Sequence, residues 1–428
     1  MDTETKDNAA KDSRTQRQPS FAPPPEIPTQ EAVDGILFDF NCGLRVSFPK
    51  DGGQHRLLFR DLDSGIVLYC MDAEPGSTVV SVKRYFVRFG IEIYRKDDLD
   101  HPAFTHELNL EDRDVLIQIP QGALGDAIAW FSYVERFAFI HKCRVHVSMA
   151  AEIADIFKEE YPGIGFVTQE KAMELRPYAT YNLGLFFGGD TDSQPFDFRQ
   201  AGLHRTAGHI LGLNNLHDQP PRVNTRHERI IKEPYAVIAT QASSQCKYWN
   251  NPSGWREVIS WLKSQGLRVI CIDRFPEYGS GIVFNRIPWG CEDWTGDRPL
   301  QERIDVIKDA EVFIGLSSGL SWLAWCCNVP VVMISGFTDP VNEFFTPWRV
   351  QNIRVCHGCW NDMRCKFDHG DFLWCPRKGK TDDKFECTKA ITAKMVIEKA
   401  AMALERRMKD GGNNCEPDGK QALDNAGR

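Results

Sequence analysis

The sequence predicts an α/β protein of two consecutive doubly wound domains, preceded by a small all-β module and followed by a four-cysteine metal finger. Three observations lead there. Over residues 113–350 short continuous apolar runs alternate with amphipathic helical stretches, the texture of parallel strands covered by helices. Over residues 34–112 the segments are short, β-branched and aromatic, with turn residues between them. Five of the 14 cysteines then fall between positions 356 and 387. A length of 428 residues accommodates all three parts, since about 150 residues make a domain and a chain of this size builds its cores without disulfides.

Residues 1–33 have almost no apolar periodicity and contain Pro23, Pro24 and Pro25 in a row, so a disordered arm is expected. The β module, 34–112, runs through GILFDF, LRVSF, HRLLFRD, GIVLYCMD and TVVSVKRYFVRFGIEIYR. The first doubly wound domain, 113–230, opens with the apolar run VLIQIP, the turn QGALGD, the amphipathic stretch AIAWFSYVERFAFIHK and the strand RVHVSM. A helix AAEIADIFKEEYPG, the segment GFVT and a strand in YATYNLGLFFGG follow. The second domain, 231–350, repeats the alternation from YAVIAT through SGWREVISWLKSQG, RVICID, PLQERIDVIKDA, EVFIGLS and SGLSWLAWCCN to PVVMIS. Ligands of such domains sit at the carboxyl ends of the strands and in the cleft between the two units. The finger spans 351–390. Residues 391–428 form a closing helix, ITAKMVIEKAAMALERRMK, and a polar tail.

Composition narrows the function. With 51 basic and 59 acidic residues, the net charge of -8 and pI of about 5.8 argue against binding bulk nucleic acid, though not against a local basic pocket for one phosphate ligand. No apolar run approaches the ~18 residues of a membrane span, and the polar start lacks the basic and apolar stretches of a secretory signal. A cytoplasmic chain is expected, whose cysteines serve as metal ligands or core thiols.

Neither a Walker loop nor the G-x-G-x-x-G spacing of a dinucleotide site is present. Asp126 closes the first βα turn, where a carboxylate either accepts a proton from an attacking hydroxyl or simply caps the helix. The loop TQASSQCKYWNNP places Thr240, Ser243, Ser244 and Lys247 after a strand, donors suited to a diphosphate, although a lone lysine is by default a solvated one. Ser317, Ser318 and Gly319 open an apolar helix, where unpaired N–H groups attract phosphate unless they are only a cap. Thr338, Asp339, Asn342, Glu343 and Phe344 lie in a connection bordering the cleft. Cys356 and Cys359 form a C-x2-C pair, with Cys375 and Cys387 farther on: four thiolates for a closed, structural tetrahedral site that suits zinc or iron equally. Cys365 is left over, His357 and His369 lie nearby, and the finger has few apolar residues to hold it otherwise.

The order of GALGD, CKYWNNPSGWREVI and SSGLSWLAW followed by PVVMISGFTDP resembles the GT-B heptosyltransferases of lipopolysaccharide core assembly. The segments CHGCWND, FDHGDFLWCP and FECTK resemble the narrower family of bacterial autotransporter heptosyltransferases. The resemblance implies a GT-B fold with an acceptor domain first and a donor domain second. It implies Asp126 as catalytic base, Lys247 at the donor diphosphate, and Ser317, Ser318 and Gly319 lining the donor pocket. It further implies transfer of heptose from ADP-heptose to Ser or Thr hydroxyls of an autotransporter adhesin passenger domain. One structural iron (Fe3+) per chain and a large ring-like oligomer, a dodecamer, go with it. One departure stands out: the lipopolysaccharide enzymes carry Asp-Ser/Thr-Gly before the donor helix, and Ser317 replaces that carboxylate here. Two alternatives remain, transfer to a glycolipid as in those enzymes and a metal-stabilised scaffold that kept the GT-B shell without turnover.

Overall fold

The computed structural model describes residues 21–213 and 219–411. At the middle of its first sheet lies the strand Asp114–Gln118, paired in parallel with Arg144–Ser148 on one side and Ala179–Asn182 on the other, while Gly165–Val167 extends the edge. The sheet continues into the expected β module. Leu37–Asn41 adds in parallel to Ala179–Asn182, with Ala179 opposite Phe40, and Arg45–Ser47 and Thr78–Val80 follow antiparallel. With Gln30–Glu31 on Leu37–Asn41, these strands complete one eight-stranded sheet. The domain boundary expected near residue 112 therefore does not divide this sheet.

Asp39 explains why the sequence pattern misleads there. The string LFDFN alternates like a half-solvated strand, but Asp39 is 0% exposed. Its carboxylate accepts from Arg45 Nε and Nη2 at 2.8 and 2.6 Å and from Asn41 Nδ2 at 2.7 Å, which lets a charged group lie under a continuous sheet. The rest of the expected module forms a four-stranded antiparallel sheet in the order Val67–Ala73, His55–Asp61, Phe89–Arg95, Phe104–Glu107. Its inner face buries Leu57, Phe59, Ile91 and Ile93 in the same core as the first doubly wound unit.

The second doubly wound unit is a parallel sheet in the order Glu292–Asp293, Arg268–Cys271, Tyr235–Ala239, Val312–Leu316, Val331–Ile334. Its central strands are buried along their whole length, as parallel strands covered on both faces must be. The helix Ala393–Gly411 lies against this unit and adds Val396, Ala400 and Ala403 to its core. A hairpin, Glu277–Ser280 with Val283–Arg286, projects from it. Among the described residues no helix is long and apolar enough to cross a membrane.

Two expectations need correction. Residues 21–33 of the supposed disordered arm are pinned down: Ala22 is buried, its N–H donates to Gln118 Oε1 at 2.8 Å, and its carbonyl accepts from Gln118 Nε2 at 2.9 Å. A buried glutamine amide that finds both partners on one backbone unit offsets the ordering cost that composition alone suggested. Residues 1–20 and the tail beyond 411 lie outside the described residues. The cysteine-rich excursion, in turn, is not poor in apolar contacts. Phe337 packs on Trp360 and Trp374, and Phe367 on the same two indoles, with ring centroids 4.9 to 6.1 Å apart. Those rings are scattered through a stretch without periodicity, which hid them as a core.

Candidate active site

Two helix starts meet at the seam between the doubly wound units. The helix Leu124–Phe131 follows the turn QGALGD, and the helix Gly319–Cys326 follows Ser318. Their approach depends on two glycines. A β-carbon at Gly319 would stand 2.9 Å from Leu124 Cβ and 3.0 Å from the Gly125 amide nitrogen, and one at Gly125 would stand 2.9 Å from the Trp322 ring. Gly319, expected to line the donor pocket, serves here as a close-packing point.

Asp126 sits in the first turn of its helix. The residue before that helix, Ala123, makes no side-chain cap, and no donor among the described residues holds the Asp126 carboxyl, so the capping alternative is set aside. Burial pushes its pKa up to about 6, against which the Lys247 ammonium pulls down. A carboxylate so placed is ionised at neutral pH yet basic enough to take a proton. Lys247 reaches the same space. Its Nζ lies 5.6 Å from the centre of the Phe337 ring. His369 comes in from the excursion, in edge-on contact with Phe187 and Phe367 at 5.2 and 4.6 Å. Partial burial and then the nearby Lys247 charge lower its pKa.

The other expected donor-site residues divide. The Ser318 hydroxyl is buried and has no hydrogen-bond partner among the described residues. Ser243 is exposed at the strand end. Thr240 is different: its N–H and its hydroxyl both donate to Asp273 Oδ2, at 2.8 and 2.7 Å. With its hydroxyl hydrogen committed to a buried carboxylate, Thr240 shapes the loop rather than offering that donor. Ser317 likewise donates to Glu343 Oε1 at 2.5 Å. Burial would raise the Glu343 carboxyl, but Arg349 at 2.7 Å and the donors Ser317, Asn342 and Thr338 outweigh it and hold the pKa below its usual value. A carboxylate therefore does stand behind this helix start, supplied from a later connection instead of from the Ser317 position.

The four expected metal ligands also converge. Cys356, Cys359, Cys375 and Cys387 line one cavity of about 10 Å³, room for a single small species, together with His357, Glu386 and Cys246. Cys365 does not line it. Burial and then the neighbouring thiols push Cys387 up to about 12 and Cys359 upward as well. Among the described residues no group of three or more such donors is arranged to coordinate an ion.

Residues 33–97 match the family "glycosyltransferase TibC, N-terminal domain", and residues 196–369 match glycosyltransferase family 9 (heptosyltransferase). Autotransporter heptosyltransferase BAHTCr of Citrobacter rodentium (strain ICC168) is 52% identical over 395 residues, 92% of this chain and 95% of that one. The chain belongs to the autotransporter heptosyltransferase family. Another member, TibC of Escherichia coli O78:H11, is 52% identical over 88% of this chain and 91% of its own. Its crystal structure, described as a bacterial iron-containing dodecameric glycosyltransferase, superposes with a TM-score of 0.86 at 50% identity, covering 90% of this chain and all of that one. The α/β architecture is thus that of the autotransporter heptosyltransferases, of GT-B type. A further member, BimC of Burkholderia thailandensis, is described as inactive and is 37% identical over 88% of both chains. The family model for glycosyltransferase family 9 and the heptosyltransferase relatives at about 50% identity make this chain a heptosyltransferase.

Two residues of this heptosyltransferase, Asp273 and Cys246, escaped the sequence reading, whereas Glu343 is expected there only at the border of the cleft and His369 only beside the cysteines. Asp273 is a buried carboxylate far from the glycine turn, Glu343 is buried behind the second helix start, and His369 comes within the electrostatic reach of Lys247. The D in RVICID was the one available signal for Asp273, at the end of a strand beside the donor loop. Cys246 lies 110 residues before the cysteine cluster, and nothing in the spacing joins it to that cluster.

Proposed function

We propose that this chain is a protein O-heptosyltransferase, moving heptose from ADP-heptose to Ser or Thr hydroxyls of an autotransporter adhesin passenger domain. The observation that carries the reading is the Asp126 carboxylate, without a hydrogen-bond donor among the described residues and pushed up to about 6 by burial, in electrostatic reach of Lys247 at the seam of the two units. TibC has been solved in complex with ADP-D-β-D-heptose, which makes that donor the natural candidate. Asp126 takes the proton of the acceptor hydroxyl as its oxygen forms a bond to the anomeric carbon. The bond from that carbon to the diphosphate oxygen breaks, and ADP departs with the electron pair. Lys247, the Ser318 hydroxyl and the helix N–H groups behind it offset the charge that develops on the leaving diphosphate. Ser243 is available at the same strand end.

Cys356, Cys359, Cys375 and Cys387 are proposed to hold one structural iron per chain. The donor set fits: thiols around a cavity sized for one small species, able to bind once deprotonated and drawn inward. Zinc suits the same thiolates, and the iron-containing description of TibC favours iron. The ion's contribution is to tie the excursion together. A large homo-oligomer, in line with dodecameric TibC, and a cytoplasmic setting complete the proposal. Purified chain, given ADP-heptose and a passenger domain, should add mass to that domain in steps of one heptose. Donor left intact and a passenger domain of unchanged mass would overturn the assignment in favour of a scaffold.

A further inference from the structure

One thiol of the cysteine cavity does not belong to the excursion. Cys246 is 2% exposed and lies in the short 3₁₀ turn Gln245–Lys247 of the second doubly wound unit, yet it lines the cavity beside Cys356, Cys359, Cys375 and Cys387. The residues before it are tied to the excursion by hydrogen bonds. The Gln245 N–H and the Ser244 hydroxyl both donate to the Phe372 carbonyl, at 2.9 and 3.1 Å, and Ser244 Oγ lies 3.3 Å from Cys246 Sγ. Beyond the turn, Asn250 Nδ2 donates to Thr388 Oγ1 at 2.8 Å, next to Cys387. The residue after Cys246 is Lys247, whose ammonium sits against Phe337 in the aromatic cluster of the excursion. The turn is thus tied to the excursion both before and after Cys246, and Cys246 is the side chain that enters its thiol cluster.

We infer that Cys246 is a positioning residue, which anchors the donor-loop turn in the thiol cluster and thereby aims Lys247 at the diphosphate of the donor. The inference rests on the donor role proposed for Lys247. A buried cysteine that merely fills space would affect folding and all ligands alike. A positioning thiol acts through one neighbour, and its effect disappears once that neighbour is gone.

The test is a double-mutant cycle on the purified full-length chain, with ADP affinity read by calorimetry and metal content measured alongside. Cys246→Ala should keep the metal and weaken ADP binding by about tenfold, within the usual range of coupling between sites. It should raise the donor KM far more than it lowers kcat. In a Lys247→Ala background the same substitution should change ADP affinity no further. Equal losses in both backgrounds, an unchanged affinity, or loss of the metal in Cys246→Ala would each overturn the inference, the last by making Cys246 a ligand. An unaltered ADP affinity in Lys247→Ala alone would take down the donor assignment and this inference together. A wild type free of metal but showing the non-additive pattern would uphold the inference and remove the iron.

Discussion

The role proposed for Asp126 rests on surroundings that leave it ionised at neutral pH but raise its pKa. Its folded pKa of about 6 lies above the ordinary carboxylate value, so the folded chain holds that proton more tightly than the unfolded one. The stability linked to the proton is complete below about pH 4 and is lost as pH rises through 6. Asp126→Asn removes the charge, so at about pH 7 the variant should melt no lower than wild type and gain up to about 3 kcal/mol, the amount that raising a carboxyl from its ordinary value to about 6 carries. Transfer should nevertheless fall by about 10² or more, the scale for a missing general base. In the wild type, kcat/KM should drop about tenfold per pH unit below 6. Melting curves beside a pH–rate profile check both, and near-normal transfer by the Asn variant would return Asp126 to a structural role. Lys247→Ala should cost about 2 to 4 kcal/mol in ADP-heptose use, as a diphosphate loses an adjacent ammonium. Ser318→Ala should cost less, because the helix N–H groups remain. Calorimetric titration with ADP ranks the two.

At the scale of elements, the site exists because two helix starts can touch. Gly319→Ala would drive a methyl group into Leu124 and the Gly125 backbone, where no flexible side-chain end can yield. A loss of about 1 to 3 kcal/mol and a slower transfer are expected, since the helix carrying Asp126 must back away from the donor helix. Thermal melting and kcat on one preparation test this, and an unperturbed kcat would show that the seam tolerates the shift. The cysteine excursion is the second decisive element. Cys387→Ser and its counterparts at Cys356, Cys359 and Cys375 should release the metal, since a hydroxyl is a poor fourth ligand among thiolates. Cys365→Ser should retain it, because Cys365 stands off the cavity. Elemental analysis decides, and metal loss in Cys365→Ser alone would mean a different set of ligands. The aromatic cluster of Phe337, Trp360, Phe367 and Trp374 gives the excursion contacts of its own, so metal-free variants should loosen locally and remain folded elsewhere.

For the whole molecule, the eight-stranded sheet binds the N-terminal strands to the first doubly wound unit. Removing residues 21–112 would therefore take four strands out of that sheet and expose its core. Transfer to an intact passenger domain, read by mass, is the measurement at this scale, and it separates a working enzyme from a relative such as BimC, described as inactive.

Periodicity alone determined the alternation of strands and helices in both doubly wound units, because each element's burial is written in its own few residues. Spacing alone brought out Cys356 with Cys359, and the turn before its helix singled out Asp126, since both signals are local in the chain. Tertiary structure decided the rest. Asp39 could enter a continuous sheet only because Arg45 and Asn41 meet it there. The hydroxyls of Thr240 and Ser317 are committed only because Asp273 and Glu343, distant in sequence, accept their hydrogen bonds. Cys246 joined four thiols more than a hundred residues away through a turn that the excursion folds back to cover. In each case a buried polar or thiol group is defined by its partner, and the partner comes from another part of the chain.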